Sequence, residues 1–125
     1  MTLHQKSCVP CERGAPSLTE KAEDELFREL SQWELDRSSI HRLARQFSFG
    51  TFMEAVGFMN SIAIMAEDEG HHPSMRVDYR KVTIELTTHA VNGLSENDFI
   101  MAAKIDRIYA VVREPQTGVF ESAML

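Results

Sequence analysis

Three of the five histidines, His71, His72 and His89, stand where a single hairpin would gather them. Imidazole exchanges protons near neutral pH, so converging rings can act as general acid and general base. Carboxylates lie close in sequence: Glu67 precedes the His-His pair, and Asp98 follows His89. A carboxylate beside a histidine fixes its tautomer and supports its charged form. Three histidines can also hold zinc with one open position, which makes a metal centre the rival reading. Adjacent histidines suit that poorly, because neighbouring side chains on a strand point to opposite faces. Cys8 and Cys11 have the spacing of half a zinc site, but only His4 lies nearby to extend it, so mobile thiols are expected.

The elements that must position these groups follow from periodicity. Residues 1–16 hold Pro10, Gly14 and Pro16 without an apolar period and read as a flexible arm. Ser17 and Glu20 match a capping box, and Leu18, Ala22, Leu26 and Leu30 then predict a helix over 18–30, with Lys21, Asp24 and Arg28 in water. Between 33 and 49, Leu43 and Phe47 suit a helix as well as a strand. The alternation of Phe47 and Phe49 up to Gly50, and the turn signal Asp36-Arg37-Ser38-Ser39, favour a hairpin. Phe52, Val56, Met59, Ala63 and Ala66 predict a helix over 51–68, capped by Thr51 and ended by Gly70. Phe58 and Met59 are expected in the core.

Residues 74–89 predict a second hairpin turning at Arg80-Lys81. Its register sets Tyr79 opposite Val82 in the core, Val77 opposite Ile84, Met75 opposite Leu86 and His72 opposite His89. Ser95 and Asp98 form another capping box, from which spacing alone assigns Asp98 a capping role. Met101, Ile105, Ile108 and Val112 predict a last helix bounded by Pro115. The expected fold is α+β, in the order α-β-β-α-β-β-α: a four-stranded antiparallel sheet with three helices packed on one face. One domain is expected over 17–114, followed by a loose tail over 115–125.

Composition narrows the function. Thirteen basic residues against nineteen acidic ones give a net charge of -6, unsuited to non-specific nucleic-acid binding. No apolar run is long enough to span a membrane, and no export signal is visible. A cytoplasmic protein with reduced cysteines is expected. A core this small favours completion by a homo-oligomer.

The run Glu67-Asp68-Glu69-Gly70-His71-His72-Pro73, then Tyr79, His89 and Asp98, has the spacing E-x3-H-H-P-x5-Y-x9-H-x8-D. It resembles the signature of the pterin-4a-carbinolamine dehydratases. The similarity extends upstream through Phe47-Ser48-Phe49-Gly50-Thr51-Phe52 and Gly57-Phe58-Met59, and downstream into Phe99-Ile100-Met101-Ala102-Ala103-Lys104. It covers residues 18–112, and the Cys-x-x-Cys arm resembles that of bacterial members.

The resemblance implies dehydration of 4a-hydroxytetrahydropterin to quinonoid dihydropterin, with no metal and no cofactor. It implies His71 and His89 as acid and base, one for each face of C4a, and His72 as the third catalytic-site histidine, orienting the pterin. Glu67 and Asp98 would be supporting carboxylates, and Tyr79 belongs to the same signature. The family also implies dimers or tetramers and coupling to a phenylalanine-hydroxylase-type enzyme, whose tetrahydropterin would be recycled. Animal members carry Asp where this chain has Gly70, and Arg where it has Asn97. A non-catalytic oligomeric binding module on the same fold and a metal-dependent hydrolase are the alternatives.

Overall fold

The computed structural model describes residues 1–113. Pro115, the domain limit at 114 and the tail over 115–125 lie outside the described residues. Three helices and four strands alternate as expected: α1 (Glu20–Phe27), β1 (Glu34–Asp36), β2 (Arg42–Ser48), α2 (Phe52–Glu69), β3 (Ser74–Asp78), β4 (Lys81–Leu86) and α3 (Glu96–Arg113). The strands form one antiparallel sheet in the order β1-β2-β4-β3. Leu43 and Phe47 of β2, with Val82, Ile84 and Leu86 of β4, are buried beneath the helices. Phe58 and Ile62 of α2 and Phe99, Met101 and Ile105 of α3 close over them. Burying these side chains is the main favourable term in forming the domain.

Several local expectations shift. The N-cap of α1 is Thr19, whose side chain accepts from the Ala22 N–H at 3.2 Å. Just before it, the Leu18 N–H donates to the Leu94 carbonyl at 2.9 Å, tying this stretch to the chain before α3. Lys21, Asp24 and Arg28 are exposed as expected, but Glu23 on the same helix is buried. Its carboxylate accepts from Arg37 Nε at 2.9 Å and meets His41 Nδ1 at 2.8 Å, pinning the β1–β2 turn onto α1.

Thr51 and Gly70 cap α2 as expected, Gly70 in the left-handed conformation at φ 69°. The buried face of α2 is Ala55, Phe58, Ile62 and Ala66; it shares Ala66 with the expected stripe and otherwise lies one position before it. Phe52 and Val56 of that stripe are exposed, and Met59 packs at the core margin. Apolar residues surround this helix on most sides, so periodicity could not phase it.

In the second hairpin Met75 pairs with Ile84 and Val77 with Val82. The turn is therefore Tyr79-Arg80 rather than Arg80-Lys81. A slip of two residues preserves which face each side chain occupies, so the apolar side is unchanged. The shift also removes the expected pairing of His72 with His89, since β3 begins at Ser74 and β4 ends at Leu86, and it displaces Tyr79. That residue sits in the turn at φ 54°, largely exposed, with the Arg80 guanidinium 5.2 Å from its ring centroid, and it does not pair with Val82.

Residues 1–16, expected to be a flexible arm, lie against the domain. Leu3 is buried in a 3-10 turn (Leu3–Gln5). The Cys8 N–H donates to Glu69 Oε1 at 2.8 Å, and the Gly14 N–H to the Ala90 carbonyl at 2.7 Å. Among the described residues, no helix is long and apolar enough to cross a membrane.

Candidate active site

The end of α2 aims the first two histidines. Gly70, in the left-handed region, turns the chain out of the helix, and the His71 N–H still bonds the Ala66 carbonyl at 3.3 Å. Pro73 then prevents any helical continuation. The third histidine begins a 3-10 turn (His89–Val91) after β4. Thr88 and Gly93 close that loop as an isolated bridge, the Thr88 N–H donating to the Gly93 carbonyl at 2.8 Å. A Cβ at Gly93 would stand 3.0 Å from Ser17 Cβ, so a side chain here would press the Ser17 stretch away.

His71, His72 and His89 thereby line one cleft of about 320 Å³, with Gly70, Thr87, Thr88 and Ala90 on the same rim. A larger depression of about 590 Å³, lined by Phe49, Glu54, Phe58 and Arg113 among others, contains no histidine. Chemistry therefore favours the smaller cleft.

Asp98, in the first turn of α3, is fully buried behind His71. Its Oδ1 meets His71 Nε2 at 2.7 Å. Its Oδ2 accepts from the Thr88 hydroxyl at 2.6 Å and the Ser95 N–H at 3.0 Å. The Ser95 bond is half of the expected capping box, so Asp98 caps the helix and holds the histidine at once. Thr88 spends its one hydroxyl proton on Asp98, so Ser95 Oγ, 2.8 Å from Thr88 Oγ1, is the donor between them. The helix N-terminus favours the negative charge. With Asp98 as acceptor, Nε2 of His71 is the donor of this contact, and Nδ1 is the ring nitrogen outside it.

Glu67 and His72 form a second pair, Nε2 to Oε2 at 2.5 Å, with both side chains largely in water. Tyr79, which belongs to the same signature, is at the opposite end of β3, about 17 Å along a five-residue strand. It is not part of this cleft.

Sequence reasoning missed Thr88, which braces Asp98, and marked Asn97 only as standing where animal members carry Arg, whereas it lines the cleft. It also missed Val9, Pro10 and Cys11 of the arm, which form part of the wall. Thr88 had a signal in its position next to His89; in the arm, the Cys-x-x-Cys spacing marked Cys11 but not its place beside the histidines. Burial and the neighbouring Glu69 carboxylate push the Cys8 thiol up to about 12, so it stays protonated at neutral pH. No group of three or more His, Cys, Asp or Glu side chains among the described residues is arranged to hold a metal ion.

An α+β domain with a histidine cleft at one end of its sheet, backed by a buried carboxylate, defines the class. Residues 16–108 match the Pterin 4 alpha carbinolamine dehydratase family. The chain belongs to that family, whose activity is that of a hydro-lyase. It is 41% identical over 108 residues to a protein of Chlorobium luteolum provisionally named a pterin-4-alpha-carbinolamine dehydratase, covering 86% of this chain and 95% of the relative. A relative of the same name from Alkaliphilus metalliredigens is 45% identical over 107 residues, 84% of this chain and 94% of its own. Among solved structures, a transcriptional coactivator/pterin dehydratase from Brucella melitensis superposes with a TM-score of 0.69 at 37% identity, over 74% of this chain and 97% of that one. A pterin dehydratase-like protein described as a RuBisCO assembly factor in the alpha-carboxysome shares the fold, with a TM-score of 0.55 at 22% identity, over 63% and 90% of the two chains.

Proposed function

We propose that the cleft dehydrates 4a-hydroxytetrahydropterin by histidine acid–base catalysis. The observation that carries this reading is the convergence of His71, His72 and His89 on one cleft, with the His71 ring held by buried Asp98. Dehydration breaks the C4a–O bond. The leaving hydroxyl takes up a proton and departs as water, and N5 loses its proton as the C4a–N5 double bond forms. One acid and one base near neutral pH suffice. His71, from the end of α2, and His89, from the turn after β4, are the two proton-transfer groups, each serving one face of C4a. His72 orients the pterin and is itself supported by Glu67. Asp98 orients the His71 ring. The chemistry calls on no cofactor.

The product is quinonoid dihydropterin, which a reductase returns to tetrahydropterin. This places the enzyme after a pterin-consuming aromatic amino acid hydroxylase, with a phenylalanine-hydroxylase-type enzyme as functional partner, in the cytoplasm. Self-association belongs to the same reading. β3 is an edge strand, and Val56, Met59 and Ala63 of α2 form an apolar groove with Met75 and Val77 beside it.

The test is chemical generation of 4a-hydroxytetrahydropterin and absorbance measurement of quinonoid dihydropterin, with and without chelator. Acceleration that survives chelator supports the reading. Activity lost to chelator supports the metal-dependent alternative. Protein without activity supports a non-catalytic binding role, which the carboxysomal neighbour's fold alone leaves open.

A further inference from the structure

We propose that the N-terminal segment over 8–14 is a structural wall of the pterin cleft, and that Asn97 is the positioning residue that holds it there. The proposal rests on the pterin reading above. Asn97 is buried in the first turn of α3, next to Asp98. Its side-chain amide engages both backbone groups of one residue. Oδ1 accepts from the Val9 N–H at 3.0 Å, and Nδ2 donates to the Val9 carbonyl at 2.6 Å. This two-point contact fixes the orientation of the Val9 backbone as well as its distance. The preceding Cys8 N–H is held by Glu69, the last residue of α2. Asn97 Nδ2 also lies 3.4 Å from Cys11 Sγ, just beyond Pro10.

The same segment is pinned on the other side of the cleft. The Gly14 N–H donates to the carbonyl of Ala90, the residue after His89. Gly14 has a φ of 83°, which a side chain would strain. The segment thus runs from the helix turn carrying Asp98 to the turn carrying His89, and Val9, Pro10 and Cys11 face the cleft between them. A flat heterocycle needs enclosing surface to bind. This segment supplies surface where the histidine-bearing elements leave the cleft open. Asn97 therefore acts on substrate through the wall and not on the reacting atoms.

The experiment compares wild-type protein with Asn97→Ala, Val9→Pro and the double variant. Val9→Pro removes the N–H that Asn97 Oδ1 accepts and leaves α3 untouched, so it stands as an independent test if Asn97→Ala fails to fold. Three quantities are read: the Kd of 7,8-dihydrobiopterin by calorimetry, KM and kcat for dehydration, and the alkylation rate of Cys8 as a report of segment release. Losing two hydrogen bonds in Asn97→Ala predicts that Kd and KM rise about tenfold, and losing one in Val9→Pro about fivefold. The same account predicts kcat within about threefold of wild type and faster Cys8 alkylation. The double variant is no worse than the more affected single one, because both break one contact. Release of Cys8 with unchanged Kd and KM overturns the proposal, as does unchanged Cys8 alkylation, or a loss confined to kcat. Wild-type protein that neither binds the pterin nor turns over removes the dehydratase reading and this proposal with it. That result is distinct from failure of the variants alone.

Discussion

Two histidine–carboxylate pairs stand at the same cleft and differ mainly in burial. His71 meets Asp98 at 2.7 Å with side-chain exposures of 13% and 0%. His72 meets Glu67 at 2.5 Å with exposures of 59% and 78%. Their nearly equal distances hide a difference in consequence. Asp98 is held by two further donors, so its carboxylate can adopt one pose and the His71 ring is aimed by it. Glu67 is on the exposed end of α2, where water and salt weaken the contact and both side chains retain freedom. The first pair holds its ring in one orientation, and the second leaves both side chains free to move.

The comparison can be broken in order of expected effect. His71→Ala and His89→Ala should each lower turnover by about 10²-fold or more, the usual cost of a lost acid or base; steady-state kinetics on generated substrate read this. Asp98→Ala should also destabilise the fold by roughly 3–5 kcal/mol in urea unfolding, because the Thr88 and Ser95 donors lose their acceptor inside the protein. Glu67→Gln should leave stability within about 0.5 kcal/mol and lower turnover by less than about fivefold. Equal losses at Glu67 and Asp98 would erase the distinction between the pairs.

The smallest effect concerns the cysteines. With its pKa raised to about 12, Cys8 holds only about one thiolate in ten thousand at pH 8. Its alkylation should therefore trail that of Cys11, and should climb about tenfold per pH unit until the pH nears that value. Mass spectrometry of the alkylated chain at several pH values checks both statements.

What was legible in the sequence and what was not follows from the kind of force involved. Helices that bury an apolar face announce themselves by period, whereas β1 and β2 also needed the turn signal at 36–39 and the stop at Gly50; all seven elements are present. The β3–β4 register was misread by two residues because no glycine or asparagine marked the turn. Tyr79 takes the positive φ there without the usual residue type. Faces survived the error because a two-residue slip keeps parity. The phase of α2 was lost because Val56 and Ile64 are apolar yet exposed. In the site, the spacing of His71, His72, His89 and Asp98 was readable. The docked arm was not, since backbone bonds to Asn97, Glu69 and Ala90 leave no period in the sequence.

The central claim is that His71, held by Asp98, and His89 transfer the two protons of dehydration. It is tested most directly by the dehydration rate of the His71→Ala/His89→Ala double variant, measured beside wild-type protein after circular dichroism has shown both to be folded. The account predicts that the double variant loses nearly all acceleration over the uncatalysed reaction. A double variant that turns over at close to the wild-type rate would contradict it.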